Sequence, residues 1–94
     1  MARQVTIEPR PSKRETIEAI YRAVSAPAWA APNLDALADI LRDLSWLDPG
    51  PVELDWQIDP ELPTADLDQI HDVLIAAIAA AVGGAHPLSL RLRG

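Results

Sequence analysis

The segments of this sequence that have the pattern of β-strands never follow one another directly, because a helical segment always stands between them. Strands are predicted at residues 4–8, at residues 52–58, which read VELDWQI, and at residues 88–93, which read LSLRLR. Without short turns between them these strands cannot pair as hairpins, and a helical crossover joins parallel strands. The sequence therefore predicts an α/β fold built on a small three-stranded parallel sheet.

Three helical segments fill the intervals between the strands. Ser12 and Glu15 form a capping box that opens the first helix, the second helix is expected at about residues 34–44, and the third at about residues 65–82. The strands alternate apolar and polar residues, so the polar ones, Asp55 among them, are predicted to face water. This alternation indicates that three or four helices pack mainly on one face of the sheet.

Length and composition indicate one domain. The chain has 94 residues, 49% of them hydrophobic, which suffices for a single core spanning residues 1–94. Cysteine is absent, so disulfides and thiolate metal sites are excluded. No secretory signal is recognisable at the N-terminus, and the longest apolar run, VLIAAIAAAV, is too short to span a membrane. We expect a cytoplasmic protein that does not bind membranes.

The acidic residues are concentrated in the middle of the chain. Residues 33–72 contain eleven of the fourteen Asp and Glu residues and one of the eight basic residues, a local net charge of −10 within a total of −6. Such a segment repels nucleic acid phosphates and anionic membranes and attracts basic partners. Direct nucleic acid binding is therefore not expected, whereas binding of a basic protein is.

Three aspartates recur at four-residue intervals on the second predicted helix: Asp35, Asp39 and Asp43, here called the acidic stripe. At about 100° per residue, leucines at positions 34, 37, 41 and 44 lie on the opposite side and are predicted to face the core. Each like-charged pair four residues apart costs a few tenths of a kcal/mol. The stripe is therefore either an ordinary solvated surface or a binding surface for a cationic partner.

The loop before this helix carries a tryptophan, Trp29, between Pro27 and Pro32. Alanines surround it in the sequence and offer the indole little cover. Trp29 is therefore predicted either to be an exposed interface anchor or to fold back as a lid on the core. The other two tryptophans, Trp46 and Trp56, are assigned to the core.

The segment AWAAPNLDALADILRDLSWL, followed by PVELDW, resembles the barstar family of intracellular proteins that inhibit secreted barnase-type ribonucleases. The residues that match the family pattern in order and spacing are Pro27, Trp29, Asn33, Leu34, Asp35, Ala36, Leu37 and Asp39. The order of strands and helices agrees over nearly the whole chain, so the resemblance implies a barstar-like fold.

The resemblance also implies a function as an immunity protein, or antitoxin, that inserts the second helix and its preceding loop into the active site of a basic ribonuclease. Asp39 would lie where a substrate phosphate belongs, facing catalytic Arg, Lys and His residues, with Asp35 beside it and Trp29 over the cleft. The candidate partner-binding residues are Trp29, Asn33, Asp35, Ala36, Ala38, Asp39, Arg42 and Asp43.

The sequence leaves one alternative function open and gives no support to an enzymatic one. An acidic module that binds a different basic protein or toxin is the alternative, because Ala38 stands where the family has a tryptophan and the third helix lacks the family's late glutamate. An enzyme is not expected, because His71 and His86 are far apart in sequence and no serine or cysteine arrangement completes a triad. No metal-binding or nucleotide-binding motif occurs, and no cofactor is expected.

Overall fold

The computed structural model describes residues 2–94. Its elements, in chain order, are β1 (Arg3–Ile7), α1 (Lys13–Ala23), α2 (Leu34–Asp43), β2 (Val52–Gln57), α3 (Thr64–Ala81) and β3 (Leu88–Arg93). The predicted α/β fold with a three-stranded parallel sheet is confirmed, and three helices are present in this part of the chain.

The central strand of the sheet is β2, with β1 and β3 as its parallel neighbours. Val5 is aligned with Leu54, and Leu54 is aligned with Leu90, so apolar side chains form rows across one face. Helical segments lie between the paired strands along the chain, as parallel pairing requires. The first crossover, with α1 and α2, joins β1 to β2, and the second, with α3, joins β2 to β3.

The core lies between this apolar face and the helices. Trp56 is the largest fully buried residue, at 1% exposure, which confirms its assignment to the core. Trp46 is only half-buried, and its indole Nε1–H donates a hydrogen bond to the carbonyl oxygen of Val24 at 2.8 Å. Because Val24 is the C-terminal cap of α1, this bond ties the segment after α2 to the end of α1.

The helix that carries the acidic stripe, α2, packs chiefly against α3 and to a smaller extent against α1. It ends at Asp43, because Leu44, which was predicted to be helical, takes a left-handed conformation with φ of 47°. A left-handed leucine is strained by about 1–2 kcal/mol, but its side chain is buried and its N–H donates to the carbonyl oxygen of Ile40. Burial in the core therefore offsets the strain at this helix end.

The longest helix is α3, which buries Ile70, Leu74 and Ala77. Gly83 follows it with a left-handed φ of 77°. A left-handed residue after a helix end is most easily supplied by glycine, which has no Cβ. None of the helices in residues 2–94 has the length and apolar character needed to cross a membrane.

The polar face of the sheet differs from its prediction at Asp55. This residue is only 5% exposed, although alternation along β2 predicted that it faces water. Its Oδ1 accepts a hydrogen bond from Nε of Arg93 at 2.9 Å, and the two side chains form an ion pair. Arg93 lies two residues beyond Arg91, the residue of β3 that is aligned with Asp55. The prediction that the Asp55 side chain faces water is wrong, because an arginine on the neighbouring strand reaches its carboxylate.

Candidate protein-binding face on α2

Asn33 fixes the start of α2. Its backbone is extended, with φ of −135° and ψ of 166°, and its Oδ1 accepts a hydrogen bond from the backbone N–H of Ala36 at 2.8 Å. Its carbonyl oxygen accepts the first helical hydrogen bond, from the N–H of Leu37 at 3.0 Å. Asparagine at this position satisfies a donor that a helix start leaves unpaired. The direction in which the helix leaves the loop is therefore set within the chain itself.

The two sides of α2 differ sharply in burial. Leu37, Ile40 and Leu41 are almost completely buried, whereas every member of the acidic stripe is exposed. Ile40 was not among the residues predicted for the inner side, although its position three residues after Leu37 is a helical spacing that could have identified it. The buried side holds the helix in place, so the carboxylates are presented on a rigid support.

The acidic stripe has no partner among the ion pairs of residues 2–94. These pairs join Arg10 to Glu8, Arg14 to Glu18, and Arg93 to Asp55. Arg42, the one basic residue of α2, is exposed and lines a hollow between the end of α2 and the α3 region, and Asp43 lines the same hollow. No ion pair joins Arg42 to a carboxylate of the stripe within residues 2–94.

Trp29 is 78% exposed, so the prediction that it folds back as a lid on the core is wrong. The loop that carries it is closed by its own backbone: the N–H of Ala30 donates to the carbonyl oxygen of Pro27 at 3.1 Å, and the N–H of Asn33 donates to that of Ala31 at 2.9 Å. A large indole held outside the core is the kind of residue that anchors protein interfaces.

Tyr21 of α1 was missed as a residue that supports this face. Its side chain is nearly buried, and its hydroxyl group donates a hydrogen bond to the carbonyl oxygen of Ala31 at 2.7 Å. Burial raises the pKa of Tyr21 above its ordinary value of 10.0. The bond joins α1 to the Trp29 loop, two residues from the indole. No pattern in the sequence connects a tyrosine on one helix with a carbonyl group ten residues later.

Because of this raised pKa, the stability of the fold is expected to decrease in alkaline solution. The folded chain holds the phenolic proton more tightly than the unfolded chain, so the stabilisation is complete below the unfolded pKa of about 10 and is lost as the pH rises through the folded value. Tyr21 is the single tyrosine of the chain, so its near-ultraviolet absorbance reports the titration directly.

The control is Tyr21→Phe, which should lower the free energy of unfolding by about 1 kcal/mol at neutral pH through loss of the hydrogen bond. Its urea-unfolding free energy should then lack the component of the alkaline decrease that belongs to the phenol. A parallel decrease in the wild type and in this variant would show that the phenol is not responsible.

Between Trp29 and α2 lies an open hollow of about 320 Å³. Its lining consists of Trp29, Ala36, Asp39, Ile40 and Asp43. The structure therefore brings four of the predicted binding residues together and adds Ile40. Asn33, Asp35, Ala38 and Arg42 lie outside the hollow. The acidic stripe is thus divided: two of its carboxylates share the hollow with the indole, and Asp35 lies nearer the helix start.

The two histidines do not form a site with other metal-binding side chains. Within residues 2–94, no group of three or more His, Asp or Glu residues is arranged to hold a metal ion. A ring nitrogen of His86, Nε2, lies 3.0 Å from the carbonyl oxygen of Leu47, which links the segment before β3 to the segment before β2. This contact gives His86 a structural role.

A protein family model described as Barstar (barnase inhibitor) matches residues 1–91 of the chain. The match includes the Trp29 loop, the whole of α2 and every residue that lines the hollow. It ends within β3, two residues before Arg93. The comparison with curated proteins finds no match.

Proposed function

Because the chain belongs to the barstar family, we propose that it is an intracellular inhibitor of a basic, secreted ribonuclease of the barnase type. The observation that carries this proposal is the row of carboxylates on α2, which form no ion pair with any of residues 2–94, beside an exposed tryptophan. In this proposal α2 and the Trp29 loop enter the nuclease active site and exclude RNA from it. The chain itself catalyses no reaction, needs no cofactor and acts in the cytoplasm.

The mechanism is mimicry of RNA phosphates. A ribonuclease site supplies cationic donors that hold phosphate oxygens, and carboxylate oxygens accept the same charge-assisted hydrogen bonds. Asp39, in the middle of α2, takes the place of the phosphate at the reacting centre, and Asp35 takes a neighbouring position. Since α2 is capped at Asn33 and buried along its inner side, little conformational entropy is lost when the complex forms.

The other predicted binding residues have supporting roles in this proposal. Trp29 covers the cleft of the nuclease, and Asn33 holds the helix start through its side-chain cap. The small side chains of Ala36 and Ala38 let the partner approach the carboxylates. Arg42 and Asp43 lie at the end of α2 and contact the rim of the nuclease site.

The alternative is that the same face neutralises a different basic protein or toxin. The second half of α3 favours it, because residues 73–82 contain no charged side chain. The acidic contact surface is thus restricted to α2 and its surroundings. Such a surface indicates that the partner is basic but gives little information about the shape of the partner. A ribonuclease assay separates the two proposals.

We expect a stoichiometric amount of the chain to abolish RNA cleavage by a basic barnase-type ribonuclease. The assay titrates the chain against a fixed nuclease concentration with a fluorescent RNA substrate, and the end point should lie near one molecule per nuclease. The association rate should fall as salt is added, because ions screen the attraction between the acidic segment and the basic site.

One control makes this result specific. A neutral or acidic ribonuclease of unrelated mechanism should be unaffected by the same amount of the chain. Unimpaired cleavage by every basic nuclease tested, together with capture of another basic protein by the wild type but not by an Asp35→Ala/Asp39→Ala double variant, would favour the alternative.

A further inference from the structure

Large apolar side chains are exposed on α3 and β3, away from the face proposed to bind the nuclease. Val82, directly after α3, is 79% exposed, Ile75 on α3 is 47% exposed, and Leu92 on β3 is 46% exposed. The proposed function uses none of these side chains. Exposed apolar residues that lie together mark interaction sites, whereas scattered ones need no explanation, so their relative positions decide what they indicate.

Ile75 and Val82 lie on the flank of α3 that faces away from α2. At about 100° per residue they are about 20° apart around the helix, and both lie about 140–160° from Ala80. Ala80 lines a hollow together with Leu41 and Arg42 of α2, so its side of α3 faces α2. Because α3 contacts β3, which is an edge strand, the opposite flank lies on the side of the outer edge of β3.

The outer edge of β3 carries backbone groups that have no partner within residues 2–94, because β3 pairs with β2 alone. The N–H of Val52 donates to the carbonyl oxygen of Pro87 at 2.8 Å, and the N–H of Ile58 donates to that of Arg93 at 2.6 Å. Successive residues direct these groups to alternate edges of a strand, so the odd-numbered residues of β3 bond β2. The outward N–H and carbonyl groups belong to Leu88, Leu90 and Leu92.

We propose that β3 pairs with β3 of a second copy of this chain, antiparallel and with the two-fold axis at Leu90, so that the two three-stranded sheets become continuous. In this register Leu90 faces its own copy, and Leu88 faces Leu92 of the second copy. All outward residues are then in hydrogen-bonded pairs, each of which exchanges two backbone hydrogen bonds. This inference does not depend on the proposed function.

The charges of β3 favour this register over its neighbours. Arg91 lies opposite Ser89 of the second copy, so no two arginines face each other. An axis at Arg91 would place it opposite its own copy, and an axis at Leu92 would place it opposite Arg93. Like charges directly opposite each other destabilise a sheet, and axes nearer the start of β3 pair fewer of the leucines. The charge of Arg93 is also compensated within its own chain, by Asp55.

The apolar side chains gain cover in the same arrangement. Directly opposite residues share a face of the sheet, so the exposed side chain of Leu92 packs beside Leu88 of the second copy. The flanks of the two α3 helices that carry Ile75 and Val82 then lie on either side of the joined edge. The acidic stripe stays exposed, because α2 packs on the other side of α3.

The opposite edge of the sheet, at β1, lacks this combination. The hollow beside it is lined by Thr6, Glu8 and Arg22, among others, and β1 has no exposed large apolar side chain. An isologous contact made by one edge alone closes the assembly at two copies. We therefore expect a dimer and no longer chain of molecules.

The measurement is sedimentation equilibrium of the full chain at concentrations up to about 1 mM. A six-residue strand and a helix flank supply fewer than the roughly 20–30 residues per partner of a standard interface, so the dimer should be weak. The average mass should rise with concentration from that of one chain toward that of two. Added salt should strengthen the association, because ions screen the repulsion between two chains of net charge −6.

Two substitutions test the apolar contacts. Leu92→Lys should lower the association constant by about a hundredfold, because each dimer contains the change twice and each copy is expected to cost about tenfold. Val82→Lys, at a position that is 79% exposed, should also weaken the dimer. The matched control is Gln4→Lys, which adds the same charge at an exposed position of β1 and should leave association unchanged. Urea unfolding of each variant separates loss of the dimer from loss of the fold.

Cysteine cross-linking tests the register. The chain has no cysteine, so a disulfide can join only introduced residues. Leu90→Cys places two cysteines in one hydrogen-bonded pair with Cα atoms about 5.5 Å apart, which a disulfide can bridge. In the control, Ser89→Cys, the two cysteines are offset along the strands and lie beyond the limit of about 7 Å. Mild oxidation should therefore cross-link Leu90→Cys much faster than Ser89→Cys.

Three outcomes would overturn the inference: a monomer at every concentration, equal association constants for Leu92→Lys and Gln4→Lys, or equal cross-linking rates for the two cysteine variants. Asp39→Ala should dimerise as the wild type does, and loss of its dimer would place the contact on α2 instead. Because the test uses no nuclease, failure of the dimer leaves inhibition to be judged by the cleavage assay, and failure of inhibition leaves the dimer in place.

Discussion

Asp39→Ala is expected to weaken inhibition of the ribonuclease by roughly 2–5 kcal/mol, which is a loss of about thirtyfold to several thousandfold in affinity. The magnitude is that of charged hot spots in protein complexes, barnase with barstar among them. The physical reason is that the cationic groups of the nuclease would be desolvated in the complex without the carboxylate that compensates them. The measurement is the inhibition constant from titrations of RNA cleavage.

The same substitution should leave the fold intact. Asp39 is exposed and forms no ion pair in the described part of the chain, residues 2–94, so its removal should change the free energy of unfolding by less than about 0.5 kcal/mol. Glu53→Gln is the control for the loss of one negative charge. Glu53 lies on the side of β2 opposite to Leu54 and Trp56, and thus on the face of the sheet away from the core. The variant should inhibit as the wild type does. If Asp39→Ala raised stability and inhibited normally, the acidic stripe would be only a solvated surface.

The largest expected effect on stability comes from Trp56→Ala. Truncation of a buried aromatic residue removes its apolar contacts and leaves a cavity, at a cost of about 3–5 kcal/mol. Domains of this size are stable by only about 5–15 kcal/mol, so the variant should have a much lower urea midpoint and melting temperature. Trp56 is the largest of the fully buried residues and lies on the central strand, where neighbouring elements cannot easily close the cavity.

Trp29→Ala provides the matched control, because it is the same substitution at a tryptophan that is 78% exposed. It should change the free energy of unfolding by less than about 0.5 kcal/mol but should weaken inhibition. The two tryptophan variants thus separate stability from binding. A similar loss of stability in both variants would mean that the indole of Trp29 packs on the core.

The fold could be predicted because the spacing of apolar residues changes at the points where strands give way to helices. Alternation in VELDWQI identifies β2, and the period of the leucines in α2 identifies its buried side. The separation of all strand segments by helices then leaves parallel pairing as the solution. These signals depend on neighbours in sequence, which is why they can be read from one chain.

The failures of prediction concern contacts between residues distant in sequence. Asp55 was predicted to face water, but Arg93 pairs with it across the sheet. The hydrogen bond from the hydroxyl group of Tyr21 to the carbonyl oxygen of Ala31 in the loop was not predicted. Leu44 was predicted to be helical, but burial holds it in a left-handed conformation. The local spacing of apolar residues does not predict which group a polar side chain will contact, and it does not predict backbone strain that packing imposes.

In the candidate site, too, some features could be predicted from neighbouring residues in the sequence and others depend on contacts between distant residues. The exposure of the acidic stripe followed from the helical period, and the structure places all three aspartates outside the core. The hollow could not be predicted from the helical period, because the shape of the hollow depends on where the Trp29 loop lies relative to α2. That position is set by the loop's own hydrogen bonds and by the contact with Tyr21. The roles of the individual binding residues stay predictions until the variants are measured.

The ion pair between Asp55 and Arg93 determines how short an expressed fragment can be. The family match ends at residue 91, and a fragment cut there would lack the guanidinium group that accompanies a nearly buried carboxylate on the central strand. A buried carboxylate without a partner destabilises the fold. Affinity tags and truncations at the C-terminus should therefore preserve Arg93, even though it is remote in sequence from the face proposed to bind the nuclease.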